Sequence, residues 1–134
     1  MINQLLDGID RGDTSVMNAI FHEDAVIEWP ASGEQIVGAE NRRSVYGHTP
    51  VLPKITNRHI YGSGDVWVAE ATMTYGSKPY LGCLIFRMRG GKIARQVGYW
   101  SEPSTAPEWR SQWVKPLDVA HRTPEPPTPD PHRG

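Results

Sequence analysis

GGKIARQVGYWSEPSTAPEWRSQW, residues 90–113, decides the fold. Gly90-Gly91 is a tight hairpin turn, and residues 92–100 read as a strand leaving it. Successive strand side chains point to opposite faces. Ala94, Gln96, Gly98 and Trp100 therefore share one side, and Ile93, Arg95, Val97 and Tyr99 the other. A half-exposed strand shows one plainly polar face, whereas this one carries apolar groups on both. It reads as covered on both sides, with the small Ala94 and Gly98 leaving open space on one of them. Beyond it, residues 108–114 read as a turn of helix that packs Trp109 and Trp113 against something apolar.

Three more strands precede it. Residues 54–61 run to the turn Gly62-Ser63-Gly64-Asp65, residues 66–75 to Gly76-Ser77-Lys78-Pro79, and residues 80–89 to Gly90. In the second of these Trp67, Ala69, Ala71 and Met73 share a face, and in the third Tyr80, Gly82, Leu84 and Phe86 do. Three neighbouring strands thus carry Gly or Ala near the middle of one face. A sheet bent sharply around a cavity has that pattern; so does a sheet with a helix pressed close on the small residues.

The first half is helical. Ile2, Leu5, Leu6 and Ile9 fall at helical spacing in residues 2–10. Asp13 or Thr14 caps a second helix over 14–21, which His22-Glu23-Asp24 ends. Residues 25–29 form a strand stopped by Pro30, 31–34 a loop, 38–46 a third helix, and 47–53 a second loop with two prolines. Helices grouped first and antiparallel strands last give an α+β fold: a cone-shaped curved antiparallel sheet wrapped around three N-terminal helices. The domain spans 1–117. Residues 118–134 are proline-rich and polar, a disordered or polyproline tail, with an SH3-type ligand as the alternative.

Composition narrows the partners. A chain of 134 residues suits one core. With 14 basic and 15 acidic residues, nothing electrostatic attracts nucleic acid or an anionic membrane. No apolar run approaches the roughly 18 residues of a membrane span, and the N-terminus lacks the basic and apolar blocks of a secretory leader. Cys83 has no partner for an intrachain disulfide and sits in an apolar strand as an inert thiol, in keeping with a reducing, cytoplasmic setting.

Four stretches carry a family resemblance. GDTSVMNAIFHEDAVIEWP (12–30), GAENRRSVY (38–46), GGKIARQVGYWSEP (90–103) and APEWRSQWV (106–114) together resemble the SnoaL-like branch of the NTF2-like superfamily, small cone-shaped α+β barrels. Ketosteroid isomerase is a similar protein, in which a carboxylate shuttles a proton while a tyrosine and a protonated aspartic acid bind the oxyanion. Carried onto this sequence, those positions fall on Trp29, Leu5 and Leu84. None can do that work, which excludes steroid isomerisation by that route. The resemblance also implies an inner face made of Trp29, Val45, Tyr46, Trp67, Ala69, Ala71, Met73, Tyr80, Gly82, Leu84, Phe86, Gln96, Gly98 and Trp100, matching the faces read from side-chain size. It further implies a homodimer through the outer sheet face, where Val68, Ile85, Val97 and Tyr99 need covering.

Such a pocket is aromatic and nearly uncharged, and suits a small hydrophobic or polycyclic carbonyl compound; each Å2 buried contributes about 25 cal/mol. Polar groups are few. If Ile55, Asn57, His59 and Tyr61 face inward, His59 is the candidate proton shuttle, and the Tyr46 phenol the oxyanion donor. Each has a plain structural reading as well, as a strand-end histidine and a satisfied core tyrosine. Gln96 orients a carbonyl but moves no proton. Strand parity sends Glu70 and Arg95 outward. The histidines lack ligand spacing, and no GxSxG, CxxC or phosphate loop occurs, so neither metal nor cofactor is expected. Two functions follow: a cofactor-independent isomerase, cyclase or lyase working by proton transfer, or a non-catalytic binding or dimerisation module.

Overall fold

The computed structural model describes residues 1–121. Helix α1 (Ile2–Asp10) buries Ile2, Leu5 and Leu6 along its apolar stripe, each side chain worth about 1.5–3 kcal/mol of burial. Gly8 lies on the same side because Val16 and the carbonyl of Asp13 press against it. The expected second helix is shorter than its sequence suggests. Residues 14–16 form a single tight turn, capped by Asp13 accepting from the Ser15 N–H at 3.1 Å, and α2 is only Met17–Ile20. The chain is already extended at Phe21. His22, Glu23 and Asp24 therefore belong to β1 (Phe21–Trp29) instead of ending a helix. Phe21 is the reason: its ring is fully buried on the inner face, opposite Ile93.

Strand β2 (Glu34–Val37) returns beside β1, with Ile36 opposite Ile27 in the core. Helix α3 (Ala39–His48) and a proline-bearing loop then carry the chain to the far edge. There β3 (Lys54–Ser63), β4 (Val66–Tyr75), β5 (Lys78–Arg89) and β6 (Lys92–Ser101) meander back. The order is β2-β1-β6-β5-β4-β3. After three reversals β6 arrives parallel to β1, so the curved sheet is mixed and not wholly antiparallel. It also stays open, because nothing joins the edges β2 and β3.

Two bulges reset the faces. In β3, Thr56 pairs with Thr72 but His59 with Glu70, so two residues stand opposite Ala71. Asn57 adopts φ 54 there, a left-handed conformation asparagine tolerates, and its amide donates to Thr72 Oγ1 at 3.1 Å. In β6, Arg95 pairs with Arg87 and Ile93 with Met88, leaving Ala94 as the extra residue. Ile93, expected on the outer face, is thereby turned into the core.

After β6, residues Glu108–Trp113 form a 3-10 turn, but Trp109 and Trp113 are 73% and 75% exposed. The expected apolar seat is absent from the described residues; only Arg110 lies over Trp109, at 5.8 Å. Leu117 and Val119 then reach the outer face beside β3. Of the expected tail, residues 118–121 hold a short turn, and 122–134 lie outside the described residues. Among the described residues no helix is long and apolar enough to cross a membrane.

Candidate functional site

A cavity of about 190 Å3 opens between α1, α3, the loop after α3 and the inner ends of β1, β3, β4, β5 and β6. Trp29 and Trp100 form one wall, edge to face with centroids 6.1 Å apart and planes at 79°. Met73, Leu84, Tyr46, Tyr75, Ile9 and Ile55 line the rest with Thr49, Leu52 and Pro53 of the loop after α3.

The glycines shape the walls differently from the sequence reading. A Cβ on Gly98 would stand 3.0 Å from the Trp100 ring and 3.3 Å from Leu84; one on Gly82 would meet Met73 Sδ at 3.1 Å. The room left by the missing side chains is therefore occupied by neighbours lying flat across the strands. The void sits next to them, towards α3.

Gln96 is the polar side chain sunk deepest in this wall. It is 5% exposed, and its Oε1 has no hydrogen-bond partner. Such an acceptor costs roughly 1–3 kcal/mol while unpaired. Tyr46 enters from the last turn of α3, where Thr49 Oγ1 donates to the Val45 carbonyl at 2.8 Å and fixes the helix end. Burial pushes the Tyr46 phenol far above its ordinary value; Tyr75 pushes the same way and Arg42 opposes. Burial, then Tyr80, raises Tyr75 as well. Both phenols are thus neutral donors at physiological pH. Apart from these groups and Thr49, the lining holds no carboxylate, imidazole or ammonium.

The structure brings together Trp29, Tyr46, Met73, Leu84, Gln96 and Trp100 of the residues expected here. Ala69, Ala71 and Phe86 are core beneath the cavity, and Val45 packs against that core. Tyr80 stands outside, edge-on to Tyr75 at 5.7 Å with Lys78 over its ring at 5.4 Å. Trp67 lines a separate hollow of about 430 Å3 at the opposite end of the sheet, with Ile2, Ile60 and Met88; its indole donates to the Gly64 carbonyl at 3.0 Å.

His59 requires correction. The Asn57 bulge inverts the parity of β3, so His59 lies opposite Glu70 on the outer face and Ile60 takes the inner position opposite Ala69. His59 lines an outer hollow with Glu70, Leu81 and Leu117, and does not share a cavity with Tyr46. Glu70 and Arg95 face outward as parity requires; Arg95 pairs with Glu28. Burial raises the Cys83 thiol, with Glu70 adding to it, as suits an unreactive cysteine. Among the described residues no group of three or more His, Cys, Asp or Glu is arranged to hold a metal.

Sequence reading missed Ile9, Thr49, Leu52, Pro53 and Tyr75. Tyr75 was available from parity, being two residues past Met73 on an unbroken strand. The loop residues gave no periodic signal.

Among curated proteins none matches this chain. The sequence pattern of the SnoaL-like domain matches residues 2–96. An NTF-2 like protein of unknown function from Burkholderia xenovorans LB400 superposes with TM-score 0.79 at 32% identity, over 87% of this chain and 92% of that one. A putative ketosteroid isomerase from Kribbella flavida DSM 17836 follows at TM-score 0.73 and 18% identity, over 87% of each chain. IdmH, a putative polyketide cyclase from Streptomyces antibioticus, shares the fold at TM-score 0.58 and 16% identity, over 74% of this chain and 88% of that one. An open curved sheet over N-terminal helices, and a family pattern running from α1 into β6, place this chain in the SnoaL-like domain family of the NTF2-like superfamily.

Proposed function

We propose that the cavity between α3 and β6 binds a small hydrophobic compound carrying a hydroxyl group, which donates to Gln96 Oε1 and whose oxygen accepts from the Tyr46 phenol. The observation that carries this is the buried, unpartnered Gln96 Oε1 in an otherwise aromatic wall. A bound hydroxyl donor satisfies it, and the tryptophans supply the contact area. The volume argues for one ring. An apolar cavity of about 150 Å3 holds benzene, so about 190 Å3 suits a substituted single ring, with anything larger projecting past Leu52 and Pro53.

Binding is favoured over proton transfer. The lining offers neutral phenols and an amide, which polarise a carbonyl but do not shuttle a proton near neutrality. Relatives in fold described as a putative isomerase and a putative cyclase support a small-molecule pocket and leave its chemistry to the lining. The apolar band Tyr61, Val68, Ile85 and Val97, in register across four strands of the outer face, supports a homodimer, which light scattering of the purified chain tests.

Intrinsic fluorescence tests the pocket. Substituted phenols are expected to quench saturably, with Trp100→Phe and Trp29→Phe each removing part of the signal. Saturable quenching that both variants leave unchanged would place the ligand elsewhere. Turnover of a bound ketone with solvent deuterium incorporation would restore the enzyme reading.

A further inference from the structure

Behind Tyr46, on the side away from the aromatic cavity, lies another hollow of about 210 Å3. Thr14, Ser15, Asn18, Arg42 and Arg43 line it together with Met17 and Tyr46, so it carries two cations that the aromatic cavity lacks.

Arg42 is its unusual member. The side chain is 2% exposed, sunk between α3 and β1 with its guanidinium 5.1 Å from the centre of the Phe21 ring. Its hydrogen bonds are long and go to neutral acceptors: 3.4 Å to the His22 carbonyl and 3.3 Å to Asn18 Oδ1. Nε has no partner. Among the described residues no carboxylate forms an ion pair with it, although a buried guanidinium ordinarily has one. Arg43 brings a second guanidinium to the same Asn18 oxygen, at 3.2 Å. Two cations thus share one neutral amide. Asp13 is engaged with Ser15 and with Arg11 at 3.6 Å, and the exposed Glu23 stands 3.9 Å from the same Arg43 Nη1 that bonds Asn18. Burial and then the charge of Arg43 depress the Arg42 pKa, with Glu23 and Tyr46 opposing them; a bound anion acts in the same sense as Glu23.

We propose that this hollow is a binding site for a small oxyanion, a carboxylate or phosphate group, held by Arg42 and Arg43 with the Thr14 hydroxyl completing its shell. A planar or tetrahedral oxyanion supplies the charged acceptor that the buried Arg42 fork lacks. The site is separate from the ring-sized cavity and shares only the Tyr46 wall with it.

The test is thermal unfolding of the full chain with inorganic phosphate or acetate at low millimolar concentration, ionic strength held constant with sodium chloride. Wild type is expected to show a saturable rise in Tm with at least one of the two anions, and the stronger one identifies the oxyanion geometry. Arg43→Gln, on the exposed rim, is expected to weaken the apparent affinity about tenfold, and Arg42→Gln to abolish the rise. Each variant is judged against its own anion-free baseline, so altered stability does not mask the result. If Arg42→Gln does not fold, Arg43→Gln and Asn18→Ala decide. No rise in wild type, or a rise that all variants retain, overturns the proposal.

Discussion

Strands β3 and β4 lie side by side and obey the sequence differently. β4 alternates without a break from Trp67 to Met73, so every side chain takes the face its number dictates. β3 alternates only to Thr56, then steps over one residue at Asn57 and inverts everything after it. The bulge has a partner in α1. Asp10 Oδ2 accepts the Ile55 N–H at 2.7 Å, and Arg58 bonds Asp7 at 2.5 Å with Asp10 3.9 Å away. The extra residue lets Arg58 reach the end of α1, and the same step moves His59 outward. One local irregularity thus removes the only imidazole expected in the cavity and leaves its polar work to Tyr46 and Gln96.

The sharpest way to break this contrast is at Asn57. A β-branched residue at φ 54 clashes with its own backbone, and the amide bond to Thr72 is lost. Asn57→Val is expected to destabilise by about 2–3 kcal/mol in urea unfolding. Asn57→Gly, which keeps the conformation, is expected to lose about 1 kcal/mol. Equal losses in the two variants would mean that the left-handed residue does not hold the register.

Alternation and turn chemistry explain how much of this was legible. Residues 66–75 emerged with the bounds read from sequence, and the paired strands around them within a few residues, because glycine-bearing turns mark their ends. The face of Trp100 was legible for the same reason, whereas that of Trp29 was implied by the family resemblance. The bulges were not, since an extra residue leaves composition and local pattern unchanged; the asparagine inside an apolar strand was the one available sign. Trp109 and Trp113 misled because tryptophan composition signals burial only where a surface exists to receive it. The loop after α3 and strand β2 were opaque because proline-broken or four-residue segments show no period.

A smaller effect follows from the phenols that replace His59 on the inner side. Tyrosine in the unfolded chain ionises near 10.0, and Tyr46 in the fold well above that. A group whose pKa rises on folding contributes its full stability below the unfolded value, and that stability is lost as pH climbs past it. Stability is therefore expected to be flat up to about pH 9.5. Above pH 10 it should fall by about 1.4 kcal/mol per pH unit for Tyr46, with a lesser share from the half-exposed Tyr75. Tyr46→Phe should flatten most of the decline, and absorbance at alkaline pH should show at least one phenolate fewer in the folded wild type than in the unfolded chain. An unchanged slope in Tyr46→Phe would place that phenol in contact with solvent.

The smallest effect on stability, and the most telling for function, belongs to Gln96. Its unpartnered Oε1 makes the empty cavity less stable than an apolar wall would be. Gln96→Leu keeps nearly the same volume beside Phe86 and removes that unpaired acceptor. Stability is expected to be unchanged or to rise by up to about 1 kcal/mol. Affinity for a phenol should instead fall about tenfold, while benzene or another ring without a polar group binds at least as well. Residues kept only for the fold do not separate the two measurements in this way. A Gln96→Leu chain that lost stability and bound phenol and benzene in the original ratio would show the amide to be structural, and the polar end of the ligand would then have to rest on Tyr46 alone.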